Sequence, residues 1–144
     1  MQTAETRPGL RPGLRFSQSI PVDESLTVPA VSRRFTGFAD MPPVFATAFM
    51  VGFMEWTCIE ALRPYLAPGE HTVGTHVDMS HMAATPAGLT VTAEVELIAV
   101  EGRKLRFRVA LRDEREPIGE GFHERSIIRT ESFLRRVEAK RAAA

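Results

Sequence analysis

The residues from Phe45 to Ile59 are apolar on every side of a helical wheel, and Glu55 stands in their midst. A helix that is hydrophobic all round is a buried one. Burying an ionised carboxylate costs roughly several kcal/mol unless it is paired or hydrogen-bonded, so Glu55 calls for a chemical reason. Thr47, two turns earlier, is another polar interruption, and His81 comes on a later segment. A hydroxyl, a carboxylate and an imidazole converging on one buried helix make an acyl-transfer set.

Each member has a plain structural alternative. Glu55 in a purely structural role would pair with an arginine or an amide. Thr47 would bond back to a helix carbonyl. Its place in the first turn favours the functional reading, because free N–H groups there attract a carbonyl oxygen or a developing oxyanion. In a regular helix, Thr47 and Glu55 are about 12 Å apart along the axis. They are too distant to bond each other, so they serve different parts of a site or meet across a dimer interface. His81 ends the inward row of its segment. A metal shared by His71, His76 and His81 with Asp78 is disfavoured, since His76 has the opposite strand parity. Gly74 breaks a strand pattern, which marks either a bulge or the close approach of a ligand. Arg125, in His123-Glu124-Arg125, is placed to meet a phosphate, a carboxylate or Glu55 itself.

The 144 residues suit one domain with a real core. Lysine plus arginine equals aspartate plus glutamate at 18 each, so no global field recruits nucleic acid or an acidic membrane. The lone Cys58 lies in the apolar helix, which excludes a disulfide framework. No apolar run approaches the roughly 20 residues of a membrane span, and the amino terminus lacks the apolar core of a signal peptide. A cytoplasmic protein is expected.

Residues 1–13, rich in proline and glycine, read as a poorly ordered tail, and 14–144 as one domain. Leu14–Val22 is a first strand. Val28–Pro43 mixes bulky apolar residues with Pro29, Gly37 and Pro42-Pro43, as a flap would. A helix is expected over about 43–66, stopped by Pro64 and Pro68-Gly69. Period-two alternation then predicts strands over His71–Met82, Gly88–Val100 and Lys104–Arg112. A strand over Pro117–Arg129 and a helix over Glu131–Arg141 complete the chain. A three-residue loop, Glu101-Gly102-Arg103, would set Glu96 opposite Arg108. In His71–Met82, Val73, Val77 and Met79 share one face, and Thr72, Gly74, His76 and Asp78 the other. The fold class is α+β: an antiparallel sheet curled about one buried helix, the hotdog arrangement. One such sheet covers its helix incompletely, which implies a homodimer joined sheet edge to sheet edge.

Val44-Phe45-Ala46-Thr47, Phe49-Met50-Val51-Gly52 and Met54-Glu55-Trp56 together resemble the fluoroacetyl-CoA thioesterase family of single-hotdog enzymes. Pro64-Tyr65-Leu66, Val73-Gly74-Thr75, His81-Met82-Ala83-Ala84-Thr85-Pro86 and His123-Glu124-Arg125 extend the likeness across residues 12–135. The resemblance implies a dimeric hydrolase of short acyl-CoA thioesters that needs no cofactor beyond the CoA of its substrate. Its catalytic trio would fall on Thr47, Glu55 and His81, with Gly74 near the acyl group and Arg125 in support. Val31–Met41 would be a lid, with Phe38 and Met41 over the acyl pocket. Family members selective for the fluorinated substrate carry phenylalanine where this chain has Met41, so that selectivity does not follow. A non-catalytic acyl-CoA-binding protein and an enoyl-thioester hydratase are the competing readings.

Overall fold

A computed structural model describes residues 7–143 of the chain. Its main elements are β1 (Arg15–Pro21), α1 (Thr47–Leu62), β2 (Glu70–His81), β3 (Thr90–Glu101), β4 (Lys104–Arg112), β5 (Pro117–Arg129) and α2 (Thr130–Ala143). The five strands form one antiparallel sheet in the order β1-β3-β4-β5-β2. Alternation decides which face is wet: Val91, Ala93, Val95 and Leu97 of β3 and Leu105, Phe107, Val109 and Leu111 of β4 are buried, while Glu94, Arg108 and Arg112 point out. Met50, Phe53, Met54, Cys58 and Leu62 of α1 pack into the same core.

The link between β3 and β4 is one residue shorter than expected. Glu101 pairs with Lys104, leaving a two-residue turn with Gly102 at φ +61°. Glu96 nonetheless faces Arg108, because an irregularity between Leu97 and Ala99 absorbs one residue. Their charged groups lie 3.6 Å apart at an exposed position.

Helix α1 starts at Thr47 rather than at Pro43. Val44 bridges to Pro86 and Phe45 to Thr27. Phe45 N–H donates to the Thr85 carbonyl and Ala46 N–H to that of Leu26. With those groups engaged in extended pairing, the chain turns helical only afterwards. Pro64 then converts the far end into a short 3-10 turn, Arg63–Tyr65.

One further expectation changes. Residues 1–6 lie outside the described residues, but 7–13 pack against the domain instead of forming a loose tail. Leu10 is a core residue, Gly13 N–H donates to the Leu97 carbonyl, and Arg7 forms a buried two-pronged pair with Glu70. As expected, its own sheet covers α1 incompletely. Thr47, Ala48, Gly52 and Trp56 are exposed, and Val51, Glu55 and Ile59 only half-buried. No described helix is long and apolar enough to cross a membrane.

Candidate active site

Thr47 is the first residue of α1, and its Oγ lies 2.7 Å from His81 Nδ1. His81 closes β2, and the turn beyond it, Met82–Pro86, is tied down at both ends. Met82 N–H donates to the Ile118 carbonyl, and Thr85, fully buried, bonds to both Phe45 and Asp113. Asp113 also accepts from the N–H groups of Arg115 and Glu116. Burial works against the Asp113 carboxylate, but these bonds outweigh it and hold its pKa below the ordinary value. The hydroxyl–imidazole pair thus rests on a rigid support. Ala46, the residue before the helix, offers no side-chain acceptor to the first-turn N–H groups. Their partial positive charge is therefore directed at whatever approaches Thr47.

The imidazole's other nitrogen, His81 Nε2, is buried and has no hydrogen-bond partner among the described residues. A buried polar atom left unpaired costs about 1–3 kcal/mol.

Glu55 lies elsewhere. Its Oε2 accepts from Arg125 Nη1 at 2.9 Å, with side-chain exposures of 38% and 3% respectively. The carboxylate therefore opens to the uncovered side of α1 and is not the fully buried acid that the apolar run suggests. Arg125 is held by three further acceptors: Thr72 Oγ, the Thr72 carbonyl and His123 Nε2. A Cβ at Gly74 would come within 2.5 Å of Glu55 Oε2 and 3.3 Å of both Arg125 and His123. Close approach, rather than turn geometry, is why glycine occupies that place.

A bulge gives this cluster its composition. The β2–β5 register slips between Gly74 and His76, leaving Thr75 without a partner. Side chains before it therefore change face relative to those after it. Thr72 and Gly74, which strict alternation assigns to the face opposite Val77 and Met79, turn to the helix with them.

The structure groups the expected residues in two places: Thr47 with His81, and Glu55 with Arg125 and Gly74. In the lid segment, Phe38 is half-buried and stands edge-on to Phe35, with ring centres 5.9 Å apart, while Met41 is 47% exposed. Thr72 and His123 are absent from the expected set. His123 is within reach of the sequence, since it shares strand parity with Arg125; Thr72 is hidden by the bulge.

One antiparallel sheet around a long helix is the hotdog fold. A thioesterase-superfamily protein of Thermus thermophilus, 28% identical, matches it at TM-score 0.80 over 92% of this chain and 96% of its own. The chain is thus a hotdog protein of the thioesterase type. Residues 22–131 match the family model described as fluoroacetyl-CoA-specific thioesterase. The fluoroacetyl-CoA thioesterase of Streptantibioticus cattleyicolor is 47% identical over 135 residues, 94% of this chain and 97% of that protein. A mutant of the thioesterase FlK, solved with fluoroacetate and CoA, matches at TM-score 0.84 and 49% identity, covering 85% of this chain and 98% of its own. The chain belongs to the fluoroacetyl-CoA-specific thioesterase family.

Proposed function

We propose that this protein is a cytoplasmic homodimer that hydrolyses a short-chain acyl-CoA thioester to the free acid and CoA, at sites formed between its two copies. The observation that carries the reading is the Thr47–His81 pair at an uncapped helix start, with His81 Nε2 buried and unpartnered among the described residues. Thr47 and the first-turn N–H groups suit a thioester carbonyl and the oxyanion that develops from it. His81 takes a proton from the attacking water, and Glu55 balances the imidazolium that results.

Within one chain, Glu55 is about 12 Å along the helix from Thr47, and it is engaged by Arg125. A second copy resolves the separation. Strand β2 is a sheet edge of 12 residues, and Val77 near its middle is 46% exposed. Antiparallel pairing of β2 with its own copy, about a twofold axis midway between Gly74 and His81, sets the His81 of one chain opposite the Gly74–Glu55 cluster of the other. The same union covers the open apolar stripe of α1.

The acyl group is short in this reading, in keeping with the relative solved with fluoroacetate and CoA. Selectivity for the fluorinated group is not part of the proposal. The test is release of free CoA thiol from acetyl-, fluoroacetyl-, butyryl- and octanoyl-CoA by the purified protein. Turnover of the two-carbon substrates that is lost in His81→Ala supports the reading. Tight binding without thiol release from any substrate would replace it with a binding protein.

A further inference from the structure

His123 is completely buried, and neither of its nitrogens touches the Thr47–His81 pair. Nδ1 lies 2.7 Å from the His76 carbonyl, which only accepts, so the proton resides on Nδ1. Nε2 then carries a lone pair, and Arg125 Nη1, 3.1 Å away, donates to it. The same Nη1 donates to Glu55 Oε2. One guanidinium nitrogen thus joins the imidazole to the carboxylate.

We propose that His123 is a positioning residue for thioester hydrolysis: as the Nδ1–H tautomer it aims Arg125, and through it fixes the Glu55 carboxylate toward the reacting centre. The inference rests on the function proposed above and extends it to a residue outside the Thr47, Glu55 and His81 set.

The two Thr72 contacts, through Nε and Nη2, set the plane of the rigid guanidinium, and Nη1 in that plane meets both Glu55 and His123. Glu55 is half-exposed, so the fully buried imidazole is the fixed reference of the two. The β2 bulge contributes as well. It lies just before His76, whose carbonyl takes the imidazole N–H and locks the tautomer. The charged groups that act on the ring are Glu55 from α1 and Arg125 and Glu124 from β5, and the His76 backbone carbonyl of β2 meets its Nδ1. Burial, with Arg125 adding to it, keeps the His123 pKa below its ordinary value against the opposing pull of the His76 carbonyl, Glu55 and Glu124. The acceptor lone pair is therefore preserved at neutral pH. Protonation would place an N–H against the N–H of Arg125 and break the link.

Two substitutions separate positioning from mere space filling. His123→Gln offers a carbonyl oxygen near the Nε2 position, whereas His123→Asn offers an amide donor near Nδ1 and no acceptor for Arg125. The expected result is a kcat within about threefold of wild type for Gln and about tenfold lower for Asn, with KM for acetyl-CoA little changed in both. Equal kcat in the two variants overturns the proposal. Should either variant fail to fold, nitrogen NMR of the wild-type imidazole decides: a ring protonated at Nδ1 alone supports the inference, and one protonated at Nε2 refutes it. A wild-type protein without thioesterase activity would instead remove the underlying function, a separate outcome read in the same assay.

Discussion

Glu55 and Arg125 form an ion pair in which the cation is hidden and the anion is half in solvent: 2.9 Å apart, with 38% and 3% of their side chains exposed. The asymmetry assigns their work. Arg125 is anchored by β2 and β5, and Glu55 presents its free oxygen to the open side of α1. Glu55→Gln should therefore lower kcat by at least about 100-fold and also lower the melting temperature, because the buried Arg125 loses the carboxylate it is paired with. Thiol-release kinetics and a thermal melt on one preparation check both halves. Near-native turnover would take the carboxylate out of the reaction.

A site shared between copies can be reconstructed from damaged parts. His81→Ala and Glu55→Gln proteins should each be nearly inactive alone. Unfolded together and refolded, half of their dimers are mixed, and each mixed dimer holds one intact site of two. About a quarter of wild-type activity should return. Failure of any activity to return, with mixed dimers demonstrated by mass, would mean that each site lies within one chain.

Gly74→Ala places a methyl group 2.5 Å from Glu55 Oε2 and 3.3 Å from Arg125 and His123. The Glu55 end is flexible and can move aside, so folding should survive. The displaced carboxylate should lower kcat by about tenfold or more. A fully active Gly74→Ala protein would show that the Glu55 geometry seen in the structure is not the working one.

The Arg7–Glu70 pair governs acid stability. Bonding to the Arg7 guanidinium, against the cost of burial, holds the Glu70 pKa at about 2, below its ordinary 4.5. A carboxylate depressed in the folded state stabilises above its unfolded pKa, and that stability is lost as pH falls from about 4.5 toward about 2. Glu70→Gln should cost about 3 kcal/mol at pH 7, because the charge-assisted bonds that depress the Glu70 pKa are lost. It should also flatten the decline in stability across that acid window. Urea melts from pH 2 to pH 7 measure both effects, and parallel curves for the two proteins would contradict the assignment.

Cys58, the chain's one cysteine, has its pKa pushed up to about 12, chiefly by burial. The native protein should give no colour with a thiol reagent at pH 8, and one thiol per chain after denaturation. Rapid native labelling would show that α1 opens more readily than its packing implies.

The strands of this fold are legible because alternation is a direct record of which side faces water. Lys104–Arg112 and Pro117–Arg129 match their expected bounds. The helix start falls later than the sequence suggests because Val44–Ala46 are apolar enough to extend it, yet their backbone groups pair with Thr27, Thr85 and Leu26. No local pattern announces those distant partners. Thr47, Glu55, His81, Gly74 and Arg125 all stand out by residue type, and helix geometry already separates Thr47 from Glu55. That His81 joins Thr47 while Gly74 joins Glu55 depends on where α1 crosses β2. Thr72 escapes because a bulge resets parity, and Thr75 carries no residue-type signal that distinguishes it from an ordinary strand threonine. Likewise Arg7 and Leu10 are lost in a proline- and glycine-rich segment whose composition suggests looseness. Their burial comes from tertiary contacts with Glu70 and the core.

The unpaired Thr75 has a wider meaning for how this strand is used. A regular strand commits alternate residues to one task along its whole length. Here a single residue of slack divides β2 into an earlier stretch that grips a guanidinium and a later one that delivers an imidazole. Gly74 and His81, of opposite parity, can therefore both turn toward the helix, which one unbroken alternation forbids.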